Sequence, residues 1–321
     1  MEDQKNTGEI SRVMVTGAAG FIGSHTCDAL LQKGKTVTGI DNLSTGSLDN
    51  LADALRHDTF SFHQADICET SLIAKLFNDF QPDAVIHLAA LVSVPIAEEN
   101  PDENDRINVL GTKTVAQAAS TCATKRIVFA SSAAVYGNSE HLPLSEAEPT
   151  NPINQYGKAK LESESLLLPY EKSHAMIPTC LRFFNVYGPR QDPDSPYSGV
   201  ISIFSRACIQ GEPVTVFGDG HQTRDFVFVK DIAHAVVASA TNPILPGGIY
   251  NLCSGTGITL LELLDALASI HHDIPAPLFK EKREGDLRHS LGDPSRAREI
   301  LGFTATTSFA EGIRKLQTPN Q

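Results

Sequence analysis

The stretch Val15-Thr16-Gly17-Ala18-Ala19-Gly20-Phe21-Ile22-Gly23 constrains this 321-residue chain more than any other. It follows a short apolar run, Arg12–Thr16, and opens a helix-length segment that ends near Lys33, with Gly34 placed as a C-cap. Glycines at every third position let backbone amides and a helix N-terminus come close to a pyrophosphate. A tight turn with no ligand is the plain alternative. Two features favour the dinucleotide reading. The motif sits in a β-α-β unit at the very start of the fold. Asp41 closes the next strand, 24 residues after Gly17, where a carboxylate can take the adenosine ribose hydroxyls. That charge would repel a ribose 2′-phosphate, which favours NAD over NADP. Asp41 as an ordinary turn residue is the competing reading.

Short apolar runs and helix-length segments alternate through the first half. Strands are expected at Arg12–Thr16, Thr36–Ile40, Thr59–Gln64, Ala84–Leu88, Arg126–Ala130 and Thr179–Phe184, and helices at Ser71–Phe80, Ile107–Ser120 and from Tyr156 onward. Such alternation implies parallel pairing with right-handed crossovers, so an α/β, doubly wound sheet covered on both faces. Beyond Phe184 the alternation fades and Pro, Gly and Asp become frequent. Helices are expected there at Thr259–Ile270, where Thr259 and Glu262 form a capping box, and at Ser308–Leu316. This reads as a smaller second lobe interleaved with late strands of the first. Asp66-Ile67 ends the third strand, where it could meet an adenine. Leu88-Ala89-Ala90 ends the fourth, where small side chains would let a dinucleotide lie close. A loop-capping Asp and packing alanines are the bland alternatives.

The charge balance of 26 basic and 38 acidic residues gives −12, which argues against non-specific hold on nucleic acid or an anionic membrane. No apolar run approaches the ~18 residues a bilayer span needs, and Met1–Ser11 lacks the apolar core of a signal peptide. The six cysteines are scattered without a C-x-x-C pair, and His271 and His272 are adjacent and so cannot share a helix face. Reduced thiols, a cytoplasmic setting and no metal site are expected.

Tyr156-Gly157-Lys158-Ala159-Lys160 opens a helix, so Tyr156 and Lys160, four apart, project together. A phenol with an ordinary pKa near ~10 is a poor base. A neighbouring ammonium, or the positive charge of an oxidised nicotinamide, lowers that value and makes the pair a general base for an alcohol. Ser131-Ser132 follows the fifth strand at the carboxyl edge of the sheet, where ligands sit. Its hydroxyls can hydrogen-bond a substrate oxygen and steady the tyrosine. A surface tyrosine beside a solvated lysine, and a serine serving as a turn residue, are the alternatives.

Across about Val13–Gly302 the chain resembles the extended short-chain dehydrogenase/reductase family, in its NAD-dependent nucleotide-sugar epimerase/dehydratase branch. The motifs are TGAAGFIGSH (Thr16–His25), DNLSTG (Asp41–Gly46), HLAA (His87–Ala90), NVLGT (Asn108–Thr112), SSAAVYG (Ser131–Gly137), YGKAK (Tyr156–Lys160), RFFNVYGPRQ (Arg182–Gln191), FGDGHQTRDF (Phe217–Phe226) and REGDLRHS (Arg283–Ser290). Each alone is weak; the set in family order is specific. The resemblance implies a Rossmann domain over residues 8–184, with later strands returning at about 226–252, and a nucleotide-sugar lobe from 185–225 and 253–318. It implies Ser132, Tyr156 and Lys160 as the catalytic triad. For NAD it implies Gly17, Gly20, Phe21, Ile22, Gly23, Asp41, Asn42, Thr45, Gly46, Asp66, Ile67, Leu88, Ala89, Ala90 and Asn108, with Lys160 on the nicotinamide ribose and Phe183 near the nicotinamide. Arg224 and Arg283 match the family's diphosphate-binding arginines, which suits the bidentate geometry of a guanidinium. Asn185 matches a phosphate contact, Asp286 a ribose contact, and Val200, Val216 and Phe217 would flank the base. Ser131 would line the substrate side. Surface ion pairs of Arg224 with Asp219, or of Arg283 with Glu284, are the alternatives.

The resemblance also narrows the reaction. Related sugar 4,6-dehydratases carry an Asp-Glu pair directly after the catalytic hydroxyl residue, and related uronate decarboxylases a Glu; here Ala133 and Ala134 stand there, and methyl groups transfer no protons. Oxidation and reduction at one carbon remain, so a UDP-sugar 4-epimerase working through a 4-keto sugar with tightly held NAD is expected. Ser290 matches the family's gatekeeper beside the hexose, a tyrosine in relatives restricted to unacetylated sugars. Ser93, in LVSVP, resembles a hexose-contacting loop. Together they point to UDP-N-acetylglucosamine/UDP-N-acetylgalactosamine, with UDP-glucose/UDP-galactose also accepted. UDP-glucuronate 4-epimerase, a nucleotide-sugar 4-ketoreductase and a non-enzymatic NAD sensor are the rivals. Family members usually form homodimers through two helices each, here Ile107–Ser120 and Tyr156–Lys172.

Overall fold

The computed structural model describes residues 9–192, 199–271, 274–282 and 288–316. The first half runs β1 (Arg12–Thr16), α1 (Phe21–Gln32), β2 (Thr36–Asp41), β3 (Phe60–Gln64), α2 (Thr70–Phe80), β4 (Ala84–His87), α3 (Val94–Glu99), α4 (Pro101–Asp105), α5 (Gly111–Thr121), β5 (Arg126–Ser132), α6 (Gln155–Leu167), α7 (Tyr170–His174) and β6 (Ile177–Phe183). The second half runs β7 (Asn185–Tyr187), α8 (Val200–Gln210), β8 (Thr215–Phe217), β9 (Thr223–Phe228), α9 (Val229–Thr241), β10 (Gly248–Leu252), β11 (Gly257–Thr259), α10 (Leu260–Ala268), β12 (Leu278–Lys280), α11 (Ser295–Leu301) and α12 (Phe309–Lys315). Seven strands form one parallel sheet in the order β10-β6-β5-β4-β1-β2-β3. The order reverses at β1, with β2 on one side and β4 on the other, which opens a crevice at the carboxyl ends of the strands. This is the doubly wound α/β arrangement expected from the sequence.

Alternate strand residues face opposite layers, as the pleat requires. Val13, Val15, Ile86, Val128 and Leu181 pack with α1 and α9, whereas Met14, Val85, Ile127 and Phe129 pack with α2, α5 and α6. Both faces are therefore apolar, and each fully buried aliphatic side chain contributes roughly 1.5–3 kcal/mol. The smaller lobe has a three-stranded sheet, β11-β9-β7, and a β8–β12 pair around its own core of Tyr187, Phe204, Phe226, Phe228 and Leu263. The capping box at Thr259 and Glu262 is present, and Gly34 has φ +68 just past α1.

Several elements differ from the sequence reading. The helix expected from Tyr156 through Lys172 breaks after Leu167, because Pro169 cannot continue an amide ladder; α7 restarts at Tyr170. The helix expected at Ile107 starts at Pro101 and passes through a π-helical turn, Arg106–Leu110, before α5. Helices α3, α8, α9 and α11 were not expected from the sequence. In α9 (VKDIAHAVVASAT) the cause is burial, since Ile232, Ala235, Val236, Val237 and Ala240 all join the main core. Of the segment expected to return at 226–252, β10 joins the large sheet beside β6, while β9 belongs to the small one. Among the described residues no helix is long and apolar enough to cross a membrane, no cluster of His, Cys, Asp and Glu could hold a metal, and all six cysteines are free thiols.

A side chain at Gly23 has no room: a Cβ there would lie 1.9 Å from the Gly17 carbonyl oxygen. Gly23→Ala should therefore lower stability by about 1–3 kcal/mol or more, read as a lower thermal midpoint by scanning fluorimetry.

Candidate active site

A cavity of about 810 Å³ opens where the strand order reverses. The glycine turn forms its floor. Gly17 has φ +71, a conformation that favours glycine, and a Cβ on it would meet the Ala89 nitrogen at 2.7 Å. The turn can thus lie flat against the end of β4, with the Gly17 amide donating to Ile40 O at 2.8 Å. Gly20 caps α1 without a side chain, and no acidic residue occupies the first turn. The first amides of α1 are accordingly left to face an anion. Gly17, Gly20, Phe21, Ile22 and Gly23 all line the cavity.

Asp41 does two things at once. Its Oδ2 accepts from the Ala19 amide at 3.0 Å and its Oδ1 from the Leu43 amide at 2.8 Å, and it also lines the cavity. Burial pushes its carboxyl up, and these amides pull it back toward the charged form. The turn-residue and ligand readings of Asp41 are compatible. Asn42, Thr45, Asp66, Ile67, Leu88, Ala89 and Ala90 join the same wall. Gly46 does not line it; a Cβ there would press on Ala19, so its smallness serves packing. Asn108 also lies behind the wall, buried in the π-helical turn. It donates to Leu91 O and Asn104 Oδ1 and accepts from the Leu91 amide, so it holds the loop after β4 and contacts no ligand space.

The reactive end is built by β5 and α6. Asn154 caps α6 by accepting from the Gly157 amide at 2.7 Å, and a Cβ on Gly157 would come within 2.7 Å of Ala134 O. This contact presses the helix onto the turn after Ser132. Ser132 accepts from the Ala134 amide at 3.2 Å, and its hydroxyl lies near enough to the Tyr156 phenol to pull that group's pKa down. Lys160 is 3% exposed; its Nζ donates to Ala130 O at 2.8 Å and lies 5.7 Å from the centre of the Tyr156 ring. Ser131, Ser132, Tyr156, Lys160 and Phe183 all line the cavity. The expected electrostatics are not those of the protein alone. Burial pushes the phenol up to about 12, against the Ser132 hydrogen bond, and burial pulls the lysine down to about 7, against the Glu164 carboxylate. Desolvation outweighs the Ser132 hydroxyl, so Tyr156 is a neutral phenol here. His87 behind it is neutral too, lowered to about 3 by burial and held between Thr16 and Thr112 at 2.6 and 3.0 Å.

The proposed substrate residues are more dispersed. Arg224 lies on β9 and Ser290 beside it, the Ser290 amide donating to Thr223 O at 3.1 Å. Asp219 pairs with Arg288, at 2.6 Å, so the ion pair imagined for Arg224 is taken by another arginine. Asn185 donates to Asp225 O, and Val200 and Phe217 are half-buried in the small lobe. Val216 is wholly buried in that lobe's core, so its side chain cannot flank a base. Ser93 is buried as the N-cap of α3, accepting from the Ile96 amide, and does not line the cavity. Arg283 and Asp286 lie outside the described residues. Cavity residues that sequence reasoning passed over include Ser44, Ser47, Asn50, Glu103 and the Arg190-Gln191-Asp192 run. The first two residues of that run close the RFFNVYGPRQ motif. Its anchor lies outside the motif: Arg190, at φ +67, places Nη1 2.7 Å from Asp28 on α1.

An uncapped helix N-terminus, a bare glycine floor, a carboxylate on one wall and a Tyr-Lys pair on another suit NAD, with Asp41 toward the adenosine ribose and Lys160 toward the nicotinamide end. Comparison with known proteins agrees. The family model described as "NAD dependent epimerase/dehydratase family" matches residues 13–253. A UDP-glucose 4-epimerase of Mycolicibacterium smegmatis is 40% identical over 305 residues, covering 95% of this chain and 96% of that protein. The crystal structure of a UDP-glucose 4-epimerase from Thermotoga maritima, with UDP-glucose, superposes with a TM-score of 0.88 at 34% identity, over 95% and 97% of the two chains. A UDP-N-acetylglucosamine 4-epimerase from Methanobrevibacter ruminantium, in complex with UDP-N-acetylmuramic acid, gives 0.89 at 35%, over 96% and 97%. With its glycine floor, its Tyr-Lys wall and these matches over nearly its whole length, the chain belongs to the NAD dependent epimerase/dehydratase family and is an NAD-dependent enzyme.

Proposed function

We propose that the chain is a UDP-sugar 4-epimerase that interconverts UDP-N-acetylglucosamine with UDP-N-acetylgalactosamine, and also UDP-glucose with UDP-galactose. The observation that carries this reading is the placement of Ser132, Tyr156 and Lys160 on one cavity wall while Ala133 and Ala134 follow Ser132. The wall can move one proton at one oxygen and offers no acid–base pair for elimination. Ser132 would hold the sugar O4. Tyr156 would take the O4 proton and later return it to the same oxygen, with Lys160 oriented by Ala130 O beneath it. Between the two transfers the sugar is a 4-keto species that turns about its diphosphate linkage. NAD, when bound, supplies the reversible two-electron acceptor for C4 and a positive ring charge that lowers the phenol's pKa. Arg224 and Arg283 would hold the diphosphate. Ser290, small and 8% exposed, would leave room for an acetamido group. The reading includes retention of NAD through each turn and a homodimer formed around α5 and α6, next to the exposed Leu110.

Purified protein is to be mixed with UDP-glucose, UDP-galactose, UDP-N-acetylglucosamine and UDP-glucuronate in separate NMR assays without added cofactor. The C4 epimer should appear for the first three. Epimerisation of the uronate alone would select the glucuronate reading, NADH formed stoichiometrically with product would contradict the cycle, and bound NAD without turnover would indicate a sensor. Tyr156→Phe should reduce kcat by about 10²–10⁴-fold with bound NAD retained, measured by absorbance after gel filtration. Ser290→Tyr should suppress turnover of the acetylated sugars more than of the plain ones; equal loss on both rejects the gatekeeper role.

A further inference from the structure

One helical turn beyond Lys160, α6 carries a carboxylate that the reaction above does not use. Glu164 and Arg182, on β6, are 2% and 3% exposed in their side chains and form a two-pronged pair: Arg182 Nε donates to Glu164 Oε1 at 2.9 Å and Nη2 to Oε2 at 2.7 Å. Ser131 Oγ donates to the same Oε1 at 2.5 Å. The guanidinium carbon of Arg182 lies 4.7 Å from the centre of the Tyr136 ring. Tyr156, Lys160 and Glu164 are spaced i, i+4, i+8, so they share one face of α6.

The position of Ser131 gives the pair its reach. Ala130, just before it, accepts from Lys160, and Ser132, just after it, meets Tyr156. A carboxylate clamped on the middle residue therefore fixes both supports of the reactive pair. Glu164 also sits one turn beyond Lys160 on the same face of α6, and its charge opposes the burial that drives that ammonium toward neutrality. The ionisable groups facing Lys160 are few. Tyr156 and Glu164 come from α6 and the neutral His87 from β4; β5 offers carbonyl, hydroxyl and the Phe129 ring; on β6, Arg182 and the Cys180 thiol, pushed up by burial, meet Glu164. Glu164 is the acid among them. A buried ion pair can often be replaced by apolar side chains of similar volume without loss of stability, so packing alone gives little reason for one here.

We propose that Glu164, held by Arg182, is a positioning residue for this reaction: it sets the Ala130–Ser132 strand end and keeps Lys160 in its ammonium form beneath Tyr156. The inference rests on the Tyr-Lys reading above. A wild-type protein without epimerase activity removes that reading, whereas the variants below are compared with an active wild type.

The test is the double variant Glu164→Leu/Arg182→Met, with Glu164→Asp as the charge-keeping control. For each, the pH profile of kcat, KM for the UDP-sugar, bound NAD and the thermal midpoint are measured. A lysine deprived of its carboxylate loses its proton at lower pH. The double variant should therefore fold, retain NAD and keep KM within about threefold, while the alkaline limb of kcat moves down by a pH unit or more. At a pH above that limb kcat should fall at least tenfold, and below it much less. Glu164→Asp should leave the limb within a few tenths of a unit. An unchanged profile in the double variant, an equal loss at every pH, or a limb shifted as far by Glu164→Asp would overturn the proposal. So would a double variant that does not fold, because the pair would then be serving the core.

Discussion

Taking charge out of water governs this site more than any other interaction. Every ionisable group near the reactive end is desolvated, and each is shifted toward its neutral form unless a partner resists. Lys160 falls to about 7, Tyr156 rises to about 12 and His87 drops to about 3. Counter-groups resist the shift: backbone amides pull Asp41 back toward its charged form, and Arg182 and Ser131 bind the Glu164 carboxylate. The protein alone therefore keeps Tyr156 as a neutral phenol.

The sheet supplies the geometry within which those shifts operate. Because β2 and β4 flank β1, the crossovers diverge and leave the crevice. The glycine turn fills its floor without side chains, so backbone amides become the binding groups. Residues Ala130, Ser131 and Ser132 end β5 at the crevice, and each makes a different contact with α6: a carbonyl for Lys160, a hydroxyl for Glu164 and a hydroxyl for Tyr156. The reactive face is in this sense one strand end read by one helix.

Much of this was legible in the residues. The central strands of the parallel sheet, such as Ala84–His87 and Arg126–Ser132, are largely apolar runs, and the glycine turn and the Tyr156–Lys160 spacing are local patterns, so periodicity and spacing found them. What escaped was non-local. Helix α9 is apolar on most sides because it is buried, and burial removes the amphipathic stripe that marks a helix. Asn108 was assigned to the cofactor on its motif, yet its amide is spent on Leu91 and Asn104. Val216 stands next to Phe217 in sequence, but strand alternation turns it into the core. The anchoring of Arg190 by Asp28 joins residues 162 apart, a pairing no short window reports.

Asp225 has a mechanical consequence. Its two oxygens accept from the amide and hydroxyl of Ser254 and from the amides of Gly255 and Gly292, with no exposure to solvent. One carboxylate thus ties together β9, the loop leaving β10 and the approach to α11, as a crosslink would in a chain stapled by disulfides. Arg224 precedes that tie on β9 and Asn185 donates to the Asp225 carbonyl oxygen, so both are anchored to a common rivet and shift together if they shift at all.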